Sequence, residues 1–96
     1  MSMNKYETIF IVDSELEEEA LKGNIEKFKT LIEANGELES IEEWGNKRLS
    51  YPVKDKNYGY YVLVNYSAPP EFPQELERVF KITDGILKFL IVRKET

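Results

Sequence analysis

The chain has no cysteine and no histidine among its 96 residues. Without cysteine there is no disulfide and no thiolate metal site, as expected of a cytosolic protein. Without histidine it lacks the usual general base, the commonest metal ligand and the ordinary pH switch. Ser-His and Cys-His nucleophile pairs are excluded, so an enzyme built from this chain would rest on carboxylates, lysine or tyrosine. There is no run of about 18 apolar residues, so no membrane span is expected. The chain does not open on a basic-then-apolar signal segment with a small-residue cleavage site. Walker loops, GxGxxG and calcium loops are also missing, and no cofactor is expected.

What remains has the composition of one soluble globular unit, 42% hydrophobic and 32% charged, and is read as a single domain over residues 1–96. The net charge of −5 argues against a non-specific nucleic-acid binder. The charge is uneven, however. Residues 1–45 hold 12 acids and 4 bases, whereas residues 46–96 hold 6 acids and 9 bases. One acidic and one weakly basic surface follow, which permits local RNA contact against a repelling average field.

Apolar periodicity sets the elements. Lys5 to Val12 reads as a strand, with Thr8, Phe10 and Val12 on one side and Ile9 and Ile11 on the other. Ser14 with Glu17 forms a capping-box pattern ahead of a helix near residues 15–34. The acids at 15 and 17–19 suit the positive end of the helix dipole, and a solvated helix start explains them better than a metal site. Leu21, Ile25, Phe28 and Ile32 make the apolar stripe, with Leu31 alongside, and Asn35-Gly36 predicts a left-handed stop. Glu37 to Val53 gives a second strand, irregular because Leu38 and Ile41 break alternation. A third strand runs from about Tyr58 to Ser67, after the polar run Lys54 to Asn57. Pro69-Pro70 introduces a second helix near 70–83, striped by Phe72, Leu76, Val79 and Phe80. Thr83-Asp84-Gly85 closes that helix. Ile86 to Arg93 is the last strand, alternating Leu87, Phe89, Ile91 with Lys88, Leu90, Val92, and Lys94 to Thr96 reads as a frayed end.

Strand, helix, strand, strand, helix, strand predicts a ferredoxin-like α+β sandwich, a split β-α-β unit with a four-stranded antiparallel sheet and both helices on one face. Phe10, Val12, Val62, Val64, Phe89 and Ile91 are assigned to the covered face. That leaves Ile9, Ile11, Tyr61, Leu63, Leu90 and Val92 on the open face, and a contiguous apolar patch suggests a docking surface. Shielding of that patch by the irregular second strand is the plain alternative.

The stretch Trp44-Gly45-Asn46-Lys47-Arg48-Leu49-Ser50-Tyr51-Pro52-Val53 organises the chain. It holds the only tryptophan and an adjacent basic pair, and Gly45 suggests a bulge. A hairpin with two solvated cations is the bland reading. The run Tyr58 to Val64 partly echoes the RNP1 pattern of RNA-recognition motifs, but its ring set for stacking bases is incomplete.

Gly45 to Lys54 resembles the signature of the bacterial small-subunit ribosomal protein S-six family: Gly, a spacer, a basic residue, a charged or polar residue, Leu, Ala or Ser, Tyr, any residue, Ile and often a basic residue. Val53 stands where Ile is usual, a change of similar volume. Lys5-Tyr6-Glu7, the Gly59-Tyr60 step and the closing strand with Lys88, Arg93 and Lys94 also fit, so the resemblance spans the chain. It implies a ferredoxin-like, non-enzymatic component of the bacterial small ribosomal subunit. Such a protein binds the central domain of small-subunit ribosomal RNA together with ribosomal protein S-eighteen, as a heterodimer, in the cytoplasm, with no membrane and no small-molecule substrate. RNA contact is expected at Lys47 and Arg48, supported by Lys5, Tyr6, Lys54, Lys88 and Arg93. Tyr6 reads equally as a core ring. The partner is expected on Ile9, Ile11, Tyr61, Leu63, Leu90 and Val92. Two other classes share the topology. A small-ligand regulatory module would need a ligand loop that is not evident. An acylphosphatase-like enzyme would need an arginine where Asp13-Ser14-Glu15 stands.

Overall fold

Alternating side chains make residues 4–12 a strand whose two faces differ in burial. In a computed structural model of the protein, which describes residues 3–94, β1 (Asn4–Val12) buries Tyr6, Thr8, Phe10 and Val12 on one side. It is followed by α1 (Glu18–Asn35), β2 (Glu37–Val53), β3 (Lys56–Ala68), α2 (Phe72–Ile82) and β4 (Ile86–Arg93). The sheet order is β2-β3-β1-β4 with every neighbour antiparallel, the expected ferredoxin-like arrangement.

Both helices press their stripes onto one sheet face. Ile25, Phe28 and Ile32 from α1 and Phe72, Leu76, Val79 and Phe80 from α2 share a core with Phe10, Val12, Val62, Val64 and Tyr66. Four rings tie the layers together. Phe28 stacks on Phe80 at 4.3 Å, Phe80 on Phe89 at 4.9 Å, and Phe10 lies within 5.4 Å of both Phe28 and Phe80. Each such side chain withdrawn from water contributes roughly 1.5–3 kcal/mol.

Several local expectations are corrected. The Ser14 capping box does not form, and α1 starts at Glu18 with no side-chain cap. Asp13 takes over the preceding turn. Its carboxylate accepts from the Glu15 N–H at 2.9 Å and its carbonyl from the Leu16 N–H at 3.3 Å, while Leu16 packs on the core. Gly36 is not left-handed; its backbone is extended, at φ −165° and ψ −151°. Glycine is required there by close approach, since a Cβ would sit 2.1 Å from the Ser67 carbonyl oxygen. Leu87 does not share a face with Phe89. Val12 pairs with Ile86 and Ile11 with Lys88, so Leu87 is the extra residue of a bulge and turns to the helix-free side.

That side carries a second, smaller cluster of Ile11, Leu49 and Leu87, with Val53 and Tyr61 against it. The far end of the β2–β3 hairpin builds it by curling over the sheet. Its turn is two residues long, with Lys54 (φ 51°) and Asp55 (φ 64°) both left-handed, the geometry of a tight hairpin turn. The Lys54 ammonium donates to the Ile86 carbonyl at 3.2 Å, and Lys56 reaches Glu15 at 3.0 Å and Asp13 at 3.5 Å. Lys94 is not frayed, because its N–H donates to the Lys5 carbonyl at 2.8 Å. Glu95 and Thr96 lie outside the described residues. Among the described residues no helix is long and apolar enough to cross a membrane.

Candidate RNA and partner interface

β1 and β4 supply the helix-free face, and the curl of the hairpin divides it. Ile11 and Leu63 are buried, contrary to their expected exposure. Leu49 and Leu87 cover Ile11, so the shielding alternative holds for that part of the face. Ile9 and Tyr61 are half-buried, while Leu90 is 57% and Val92 42% exposed. The open apolar area therefore lies toward β4. A shallow depression of about 210 Å³ joins Ile9, Ile11, Tyr61, Lys88 and Leu90 there.

The seven residues expected at RNA do not form one patch. Tyr6 is a core ring, stacked on Tyr66 at 5.7 Å, and its hydroxyl accepts from Asn4 Nδ2 at 3.2 Å. Tyr6 is withdrawn as a stacking residue, since its ring lies on the helix side of β1. Lys54 is turned to the Ile86 carbonyl. Lys88 lies over the Tyr51 ring, 4.8 Å from its centroid, and donates to the Tyr51 hydroxyl. Lys5 stands 3.9 Å from Glu39, and Arg93 reaches Asn4 Oδ1 at 3.4 Å. Both stay exposed at the β1–β4 end.

Lys47 and Arg48 are exposed but diverge. The expected bulge is present. Trp44 is the extra residue between the pairs Glu43–Val62 and Gly45–Tyr61, and Gly45 takes φ +86°. Pairing beyond it is regular, Lys47 with Gly59 and Arg48 with Tyr58. A Cβ on Gly59 would meet Ile11 and Leu49, so Gly59 and Lys47 face the helix-free side while Arg48 and Tyr58 face the other. The bulge ends too early to bring the two cations together. Lys47 instead holds its ammonium 5.4 Å from the Trp44 ring centroid.

On the helix side of the same strand stands Glu43. The Tyr60 hydroxyl donates to Glu43 at 2.8 Å, and that hydrogen bond raises the phenol above its ordinary range. Between β1 and α1, Asp13 and Glu15 bracket Lys56, whose ammonium is raised chiefly by the Glu15 hydrogen bond. An acyl-phosphate site would place a cation where these carboxylates stand.

The family model described as Ribosomal protein S6 matches residues 5–93. The chain belongs to the ribosomal protein S6 family. It is 52% identical over 94 residues to the small ribosomal subunit protein bS6 of Clostridium novyi, covering 97% of this chain and 99% of that protein. The bS6 of Caldanaerobacter subterraneus is 48% identical with the same coverage. The crystal structure of 30S ribosomal protein S6 from Thermotoga maritima superposes with a TM-score of 0.91 at 26% identity, covering 97% of this chain and 89% of that one. This S6-family chain is a structural, non-enzymatic component of the small subunit of the cytoplasmic ribosome, associated with its ribosomal RNA.

The exposure of Tyr51 and Tyr58 was not singled out from sequence. Their placement between cations and turn residues was visible there, but not which face each would take.

Proposed function

We propose that this S6-family chain binds the central domain of small-subunit ribosomal RNA as a heterodimer with ribosomal protein S-eighteen. The observation that carries this reading is the uncovered β4 half of the helix-free face. Leu90 and Val92 stand exposed beside half-buried Ile9 and Tyr61, and Lys88 and Arg93 share their strand. A protein partner gains apolar burial there, and cations brought by that partner offset the net charge of −5 that repels RNA. Lys47, Arg48, Lys5 and Arg93 then serve as phosphate contacts, which position the chain rather than read sequence.

The test is binding of the RNA central domain measured at rising salt, with the chain alone, S-eighteen alone and both together. Steep salt dependence and tight binding only for the pair support the proposal. Equal RNA affinity with and without this chain would remove it.

A further inference from the structure

Among the described rings, Tyr60, Tyr61 and Phe89 are half-buried. Those of the core are buried, whereas Trp44 (41%), Tyr51 (57%) and Tyr58 (50%) are exposed, and all three lie on the β2–β3 hairpin. Each has a cation assigned to it. Lys47 lies over Trp44, Lys88 over Tyr51, and Arg48 is the register partner of Tyr58. Tyr51 is already engaged, since its hydroxyl takes the Lys88 ammonium and the pair closes the curl of the hairpin. Trp44 and Tyr58 have no such tie among the described residues.

A solvated ribbon has no need of bare rings, because threonine would keep the strand and spare water the apolar surface. A ring with a cation beside it suits a nucleotide. The ring stacks on a base and the cation takes the phosphate of the same nucleotide. We propose that the hairpin stacks unpaired RNA bases on Trp44 and Tyr58, with Lys47 and Arg48 as their phosphate partners. This rests on the RNA reading above and adds base contact to it.

The divergence of the cations then has a consequence. Lys47 with Trp44 serves the helix-free side and Arg48 with Tyr58 the opposite side, so the two bases must be splayed around the ribbon. An A-form duplex keeps its bases paired and stacked and offers only backbone, so the site selects loops, bulges and junctions.

Trp44 is the only tryptophan in the chain, so its emission reports the site directly. The experiment titrates the intact heterodimer with a short unpaired oligoadenylate, a blunt RNA duplex and the RNA central domain, with Trp44→Phe as the spectral blank. Quenching by oligoadenylate and by the central domain, but not by the duplex, is expected. Trp44→Ala and Tyr58→Ala should each weaken central-domain binding about 5- to 150-fold, the range for one lost base stack, without changing the salt slope. Trp44→Phe and Tyr58→Phe should restore most of it, which a merely structural role for the hairpin fold would not distinguish by ring type.

Wild-type RNA affinity in both alanine variants, with no quenching, would overturn the stacking proposal and leave the phosphate reading intact. Emission that shifts when S-eighteen is added, and no further with RNA, would assign Trp44 to the protein interface and likewise overturn it. A wild-type heterodimer that binds no RNA removes both readings.

Discussion

Thr8 and Tyr66 share a 2.8 Å hydrogen bond at full burial. Burial pushes the Tyr66 phenol up to about 12 from its ordinary 10.0, against the opposing pull of Thr8. Below pH 10 folded and unfolded chains both hold this proton, so the fold keeps its full stability there. Between 10 and 12 the unfolded chain releases a proton that the folded chain retains, so stability falls as pH rises. Urea midpoints measured across that window should decline, and Tyr66→Phe should flatten the decline. At neutral pH the same variant leaves Thr8 without its partner and should cost roughly 1–3 kcal/mol. Gly36→Ala is a second test at this scale. Its new Cβ would strike the Ser67 carbonyl at 2.1 Å, which is backbone and cannot swing aside. Thermal unfolding should show a loss of roughly 1–3 kcal/mol, the usual range for overpacking. Sequence placed Gly36 at the right boundary for the wrong reason. The cause sits on β3, a strand away in space and far along the chain, where no local pattern reaches.

The elements themselves were almost fully legible. β2 and β4 have the limits that periodicity and turn residues gave them, and both helix stripes pack on the core, with Leu21 and Leu31 only partly buried. What escaped was the behaviour of strands at their irregularities. A bulge at Leu87 reverses one side chain, and the curl of the hairpin hides Ile11 beneath Leu49. Both depend on how twisted strands meet in space, which alternation along one strand does not encode. The small cluster makes a local prediction. Leu87→Ala should cost roughly 2–3 kcal/mol, at the low end for a buried leucine because the site is at an edge and can relax. Hydrogen exchange should then rise first at residues 49–59, while Phe10 and Val64 stay protected.

At the scale of the molecule, charge is divided along the chain, with 12 of the 18 acids in residues 1–45 and 9 of the 13 bases in residues 46–96. Eight of the 18 acids lie on α1 and β2, whereas Lys47, Arg48, Lys88 and Arg93 lie on the hairpin and β4. Replacing Leu90 and Val92 by lysine should abolish pairing with S-eighteen in titration calorimetry and leave the melting temperature nearly unchanged. Both side chains are exposed, so an intact fold that still pairs at wild-type affinity would discharge this surface. Leu63, buried beside them, is unsuited to that test. Lys47→Ala with Arg48→Ala should lower the slope of log K against log salt by roughly 1–2 units, since each phosphate contact contributes about 0.7–0.9. The candidate site was thus legible as a set of cations and apolar side chains on named strands. It was not legible as a geometry, because facing depends on two bulges and a curl.

β1 lies inside the sheet, and both of its neighbours come later in the chain. Roughly eighty residues separate Val12 from Arg93. At a synthesis rate of about 5–20 residues per second, the first strand waits on the order of 4–16 s for its second neighbour. The nascent chain can zip β2 to β3 early, since they are joined by a two-residue turn, but it cannot close the sheet until β4 has left the ribosome that is making it. The apolar face formed by Ile9, Tyr61 and Leu90 does not exist before that moment. A partner that recognises this face therefore meets it only after β4 has joined the sheet.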